Sequence, residues 1–205
     1  MSHQYPNMRC LDLSNDRFGQ YDFEHPSILF ILEDKLKGLL GGPLLYNPYF
    51  KTFGLKGNES VLDFGCGGGV GSRCLVNLLD KGGHLTCVDI SHYWTAKARK
   101  RLNKYSNLEC KSGDVRELDI PDSSFDVIST FHVIHDITPP ERRDIKKALS
   151  QKLKTGGLFF IREPLKKSHG MPVEEIRALL SDAGFSEIEH KETKSEYMGR
   201  YRKSA

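Results

Sequence analysis

Four groups of residues bring together the side chains and backbone freedom that chemistry requires. The first is Asp63-x-Gly65-x-Gly67-x-Gly69, an acid and three alternating glycines at the end of the apolar run Val61-Leu62-Asp63-Phe64. Glycine accepts positive φ and lets a ligand reach the backbone without meeting a Cβ, and a helix that follows aims free N–H groups at an anion. The spacing points to a small, partly anionic, nucleoside-like ligand. The second is Asp89-Ile90, closing the run His84-Leu-Thr-Cys-Val-Asp89 about twenty residues later, where a carboxylate at a strand tip accepts both ribose hydroxyl hydrogens. Ile90 is placed to lie on the base. The third is His132-Val-Ile-His135-Asp136, whose imidazoles suit proton removal near neutral pH. Two imidazoles and a carboxylate also suit a metal, but three-residue spacing converges less reliably at a strand tip than on a helix. No other ligand cluster accompanies them, so no metal is expected. The fourth is Arg162, whose fork suits a substrate carboxylate or phosphate and equally suits a structural pair with Glu163 or Asp136.

The elements that must position these groups alternate in type. A helix over 71–80 follows the glycines and ends at Gly82-Gly83; Ser91 caps a cationic helix through Leu102 to about Tyr105. A third strand runs over 108–115 and includes Gly113-Asp114. After the turn Pro121-Asp122-Ser123-Ser124 a fourth strand covers 125–131. An amphipathic helix over 139–153 stops at Gly156-Gly157, and a fifth strand covers 158–161. A basic, flexible loop is expected over 166–172, then a helix over 173–183 and two strands over 187–192 and about 197–201. This order argues for a doubly wound α/β sheet. Ahead of it, Pro26 opens a helix with Ile28, Leu32, Leu36, Leu39 and Leu40 on one face that should dock on something. Gly41-Gly42-Pro43 is expected to stop it, and Asn47-Pro48-Tyr49 reads as a loop.

At 205 residues the chain suits one domain, or one with an added terminal segment. Charged residues make up 28% and hydrophobic ones 38%, values of a water-soluble globular protein. The apolar runs fall short of a membrane span and no basic-then-apolar leader opens the chain, so a cytoplasmic location is expected. A net charge of +3 is too mild to imply nucleic acid. Lys191, Lys194, Arg200, Arg202 and Lys203 crowd the C-terminal end, as a solvated tail or an anion contact. Five scattered cysteines indicate reduced thiols, with Cys66 a small packing residue in the glycine turn.

The glycine string is not the dinucleotide fingerprint, whose third glycine would fall at Val70. It resembles motif I of the class I S-adenosylmethionine (SAM)-dependent methyltransferases, small-molecule type 11/25-like. Phe125-Asp-Val-Ile128 and the following Val133-Ile-His-Asp-Ile137 resemble the segment beneath the methyl donor. Leu153-Lys-Thr-Gly-Gly157 resembles the family's L-K-P-G-G turn, with Thr155 in place of proline. The resemblance covers roughly 57–200. It implies a Rossmann-like, mostly parallel seven-stranded sheet of order 3-2-1-4-5-7-6, as a SAM-binding domain over 57–205 with an N-terminal helical lid over 1–56. It further implies SAM as cofactor, with S-adenosylhomocysteine as product. Asp63, Gly65, Cys66, Gly67, Gly69, Asp89 and Ile90 would hold the cofactor. Asp114 would accept the adenine amino hydrogen, Val115 flank the ring and Phe131 lie near the methionine moiety. His132, His135 and Asp136 are the catalytic candidates; at the position of His135 related enzymes often carry a packing or hydrogen-bonding histidine. Tyr21, Phe23 and Arg162 are the substrate-binding candidates, and Phe18 and His25 belong to the same arm, which either closes the cleft or only pins itself to the surface. The implied acceptor is a small molecule. An RNA or protein methyltransferase, or an inactive SAM-binding regulator, is the alternative, and a nicotinamide-dependent oxidoreductase is the least supported. Monomer and homodimer both remain open.

Overall fold

Short apolar segments that each close on a polar residue form the sheet of the computed structural model, which describes residues 22–166 and 169–204. The strands are β1 (Ser60–Phe64), β2 (His84–Asp89), β3 (Leu108–Ser112), β4 (Phe125–Phe131), β5 (Leu153–Lys166), β6 (His169–Gly170), β7 (Phe185–Glu192) and β8 (Glu196–Lys203). Their order is β3-β2-β1-β4-β5-β8-β7, with β6 attached to β5. Leaving out the two-residue β6, this is the expected 3-2-1-4-5-7-6. The first five strands run parallel, and β8 is antiparallel to β5. Strand order reverses between β1 and β4, and the crevice at their carboxyl ends is where open α/β sheets take ligands.

Both faces of the central strands are buried, which is why they read as near-continuous apolar runs. One face packs Leu62, Ile128 and Phe159 against α5 (Pro139–Lys152) and α6 (Val173–Asp182). The other packs Val61, Leu85 and Val127 against α3 (Val70–Val76) and α4 (His92–Leu102). Helix α3 is shorter than 71–80 because Leu78 and Leu79 fold into a turn, and Asn107 binds the carbonyls of Leu79 and Gly83. Ser91 caps α4 as expected, its hydroxyl accepting the Trp94 N–H at 3.2 Å.

Several local expectations are corrected. Gly41-Gly42-Pro43 does not stop the first helix. Capped by Ser27, α1 (Ile28–Leu36) widens into a π-helix (Lys37–Tyr46) and runs on into α2 (Asn47–Lys51), so Asn47-Pro48-Tyr49 is helical. Pro43 has no N–H to give, and the wider turn, closed by Asn47 N–H on the Gly42 carbonyl, accommodates it. Within 166–172, His169–Gly170 form the strand β6, paired to Leu165 and Lys166. The cationic C-terminal end is a ladder strand, with Lys203 Nζ on the carbonyls of Ser150 and Leu153 and Arg200 on Glu189.

Lys146 on α5 is 1% exposed, lacks a hydrogen-bond partner and lies 4.2 Å from the Phe159 ring centroid. Burial pushes its amine down to about 7, although Glu163 draws it upward. A lysine depressed in the folded state costs stability in full below that value, and the cost fades as pH rises toward the ordinary 10.5. Replacing Lys146 with Met is expected to raise unfolding free energy by about 2 kcal/mol near neutral pH. In urea titrations the gain should shrink steadily toward pH 10.5; a gain that does not change with pH would contradict a buried charge.

Candidate cofactor and acceptor site

The glycine turn is tied to β2 by its own backbone. Gly65 and Cys66 both donate to the Val88 carbonyl, at 2.8 and 3.0 Å, and Gly67 N–H donates to Asp89 Oδ2 at 2.8 Å. At Gly65, φ is 74° and an added Cβ would run into Val133; at Gly67, φ is 50° and the Cβ position faces open space within 4 Å. The turn therefore offers bare backbone to the crevice, the cradle that a nucleoside ligand with an amino-acid end requires.

Asp89 also accepts the Ser91 N–H, at 3.0 Å. Two oxygens provide about four lone-pair sites, so two backbone bonds leave capacity for a diol. Burial raises its pKa, against the lowering effect of those two N–H groups. Ile90 beside it is exposed on the rim. Asp63 lies deeper: it is buried, its Oδ2 accepts the Ser72 hydroxyl at 2.6 Å, and burial pushes it up to about 6 despite that bond. Asp114 is gripped by Arg116, whose Nε lies 2.9 Å from both oxygens; burial would raise its pKa but the guanidinium holds it low. Val115 is buried in the apolar core, so its side chain does not face the crevice. Cys66 is buried, its thiol donating to the Gly67 carbonyl at 3.6 Å; the neighbouring Cys87 thiol lowers its pKa, but burial and the nearby carboxylates win and raise it. That suits packing, not nucleophilic chemistry.

The N-terminal segment closes over this end. Ser91 Oγ donates to the Phe23 carbonyl at 2.8 Å, and Glu24 accepts the N–H groups of His92 and Tyr93. Phe23 thus has its backbone at the tip of β2, three strands or about 14 Å from Arg162 on β5. His25 is exposed and bonded to Asp22. Tyr21 and Phe18 lie outside the described residues. Asp34 of α1 pairs with Lys97 and Arg101, both at 2.8 Å, and Arg101 in turn donates to the Gly68 carbonyl. A helix roof is thereby pinned over the glycine turn.

The other end is built on β4 and β5, whose tips Phe131 and Arg162 lie in register. The Arg162 guanidinium sits 4.8 Å from the Phe131 ring and 5.3 Å from Tyr49. Tyr46 packs on Phe131 at 4.7 Å. Arg162 pairs with Glu196 of β8, not with Glu163 or Asp136. Its Nε and the Tyr49 hydroxyl are buried without partners, polar groups that a bound ligand would satisfy. His132, at φ 57°, donates its N–H to the Arg162 carbonyl at 2.8 Å and places Nε2 2.9 Å from Glu196. Such a backbone conformation outside glycine is uncommon and gathers at functional sites. Burial lowers the His132 pKa in spite of Glu196 and Glu163.

His135 turns inward. It is buried, with Nδ1 2.6 Å from Glu163 and Nε2 3.4 Å from Asp136. Glu163, fully buried, also accepts the N–H groups of Val133 and Ile134. The two imidazoles thus serve different carboxylates, and among the described residues no group of three or more His, Cys, Asp or Glu could hold a metal ion. Sequence reasoning missed Asp34, Tyr46, Tyr49 and Glu196 and considered Glu163 only as a partner for Arg162. Asp34 and Glu163 each interrupt an apolar helix or strand, the one local signal that was available.

Residues 61–157 match a family model described as a methyltransferase domain. A crystal structure of a SAM-dependent methyltransferase from Aquifex aeolicus superposes with a TM-score of 0.72 at 22% identity, covering 90% of this chain and all of that one. Residues 61–157 are thus a methyltransferase domain, and the sheet around them has the fold of the class I SAM-dependent enzymes. A probable SAM-dependent methyltransferase of Mycobacterium tuberculosis is 25% identical over 144 residues, 63% of this chain and 50% of that protein. A sterol 24-C-methyltransferase of Gibberella zeae is 29% identical over 113 residues, 54% of this chain and 29% of that protein. The chain therefore spans half or less of the length of these curated relatives. Among its described residues no helix is long and apolar enough to cross a membrane.

The His135–Glu163 pair yields a pH signature. Burial lowers the histidine's pKa but the Glu163 contact outweighs it and raises it; burial raises the glutamate's, but His135 and two N–H groups hold it down. The histidine's contribution is lost as pH rises past its raised pKa, above 6.5, and the glutamate's as pH falls below 4.5. Glu163→Gln should cost about 3 kcal/mol in the window between, and in NMR titration the His135 imidazole should drop below 6.5. An unmoved imidazole would refute the pairing.

Proposed function

We propose that residues 57–205 bind SAM along the carboxyl rim of β1, β2 and β4, under a roof supplied by residues 1–56, and that the protein transfers its methyl group to a small-molecule acceptor, leaving S-adenosylhomocysteine. The observation that carries this reading is Asp89, fixed by Gly67 and Ser91 N–H beside an open glycine backbone. Bound there, SAM would supply an already activated sulfonium methyl, so the chain need only align, exclude water and take up a proton. Asp89 would take the ribose, with Ile90 against the base and Asp114 toward its amino group. Gly65 to Gly69 and Asp63 would receive the amino-acid end.

The acceptor would enter between Phe131, Tyr46, Tyr49 and Arg162, where the unpartnered Arg162 Nε and Tyr49 hydroxyl offer donors to an oxygen of the acceptor. For an acceptor that carries a proton, His132 is the better base than His135. Glu196, held ionised by Arg162 against the effect of burial, accepts from Nε2 and leaves Nδ1 as the lone-pair nitrogen. His135, engaged at both nitrogens and buried, positions the Val133-Ile134 turn through Glu163.

In thermal-shift titrations SAM and S-adenosylhomocysteine should raise the melting point and NAD should not. Asp89→Ala should weaken SAM binding about tenfold or more, from loss of charge-assisted bonds worth about 1.5–3 kcal/mol. Unchanged SAM affinity in that variant would remove the ribose assignment. With an acceptor identified by transfer of a deuterated methyl group, His132→Gln should abolish the acid limb of the pH–rate profile, whereas His135→Asn should leave that limb in place; the reverse pattern would exchange their roles.

A further inference from the structure

The first helix is inside out. Its inner face carries Phe30, Ile31, Asp34, Gly38 and Gly42, whereas the outer face carries large aliphatic side chains. Ile28, Leu29, Leu32, Leu36, Leu39, Leu40, Leu44 and Leu45 are between 37% and 79% exposed. The helix cannot rotate to hide them. Asp34 is held by Lys97 and Arg101, and Arg73 donates to the Gly38 carbonyl at 2.8 Å. Side chains of this size at these exposures leave several hundred Å² of contiguous apolar surface, at or above the upper end of what a monomer commonly shows.

From this surface we infer that the outer face of α1 and the π-helix pairs with the same face of a second copy of this chain, across a two-fold axis. The area favours it, since a standard interface buries about 800 Å² on each partner and this stripe supplies most of that. Composition favours it as well. The exposed charges along the stripe are Glu33, Lys35 and Lys37, and Glu33 and Lys37 already neutralise one another at 2.9 Å. That matches the aliphatic, charge-poor centre of a homodimer interface. A lipid-binding helix would instead carry a polar face rich in lysine and arginine and aromatic side chains at its edge. The stripe runs along nineteen helical residues, Ile28 to Tyr46, nine in α-helix and ten in π-helix. Across a two-fold axis each residue of one stripe meets a different residue of the other and the reverse contact repeats it, so one self-complementary stripe serves both partners.

Sedimentation equilibrium of the full chain at micromolar concentrations should give twice the chain mass. The double variant Leu32→Glu/Leu36→Glu should weaken self-association by more than about tenfold through uncompensated charge at the contact, with far-UV circular dichroism unchanged because both positions are exposed on the single chain, and with a melting point that no longer depends on protein concentration. Ile188→Glu, an exposed aliphatic on β7, should leave the dimer intact. Three results would overturn the inference: a parent that stays monomeric at tens of micromolar, a dimer that survives the double substitution, or a monomer that becomes dimeric only when residues 1–21 are removed, which would assign the face to that segment. Flotation of a monomeric parent with phosphatidylserine vesicles, abolished in the double variant, would likewise replace the second copy with a lipid surface.

Discussion

A single N–H, that of Gly67, donates to a single carboxylate, that of Asp89, and the geometry of the glycine turn depends on the join. It ties the exit of β1 to the exit of β2 and keeps the glycine turn open toward the crevice. It also orients the Asp89 carboxylate, together with the Ser91 N–H on its other oxygen. The neighbouring bonds from Gly65 and Cys66 to the Val88 carbonyl are possible only because β1 and β2 are parallel and in register, Asp63 beside Cys87. Sheet order and ligand cradle are therefore the same constraint at two scales: reversal of strand order between the parallel β1 and β4 opens the crevice, and glycine keeps it free of side chains.

The tips of β4 and β5 rest on a different principle, charge buried with compensation. Glu163 is withdrawn from water and surrounded by an imidazole and two backbone N–H groups, so its ionised form is held by hydrogen bonds. Arg142 holds the same turn from the other side through the carbonyls of Ile134, His135 and Ile137. With that turn rigid, the strained backbone of His132 can be maintained at the tip of β4, and Arg162 and Glu196 fix its ring from outside. A dry, cross-braced floor of this kind suits a reaction whose main demand is alignment.

The N-terminal helix links the two ends and shows how an ion pair can override amphipathic pattern. Apolar periodicity read from Ile28, Leu32, Leu36, Leu39 and Leu40 calls for that face to dock on something, and the rest of this domain is the nearest surface. The structure turns it away, because Asp34 meets Lys97 and Arg101 over the glycine turn, and Gly38 and Gly42 let the helix lie close to α3. Periodicity reports that a face is apolar; which surface meets it depends on the partners available in three dimensions.

The order of elements, the glycine turn and the carboxylates at 63, 89 and 114 were legible in the chain itself. They depend on local backbone freedom and on apolar runs of strand length, both written in neighbouring residues. Cap residues such as Ser91 were legible for the same reason. The pairing of Arg162 with Glu196, the burial of Val115, the inward turn of His135 and the continuation of helix through Gly41-Gly42-Pro43 were not. Each joins residues far apart in sequence or exchanges a local preference for a contact supplied by another element. A chain specifies where its backbone can bend and which runs are apolar, but the partner of a buried charge and the outward face of a helix are decided only when the sheet brings distant strands together, because burial and hydrogen-bond satisfaction are properties of the assembled surroundings.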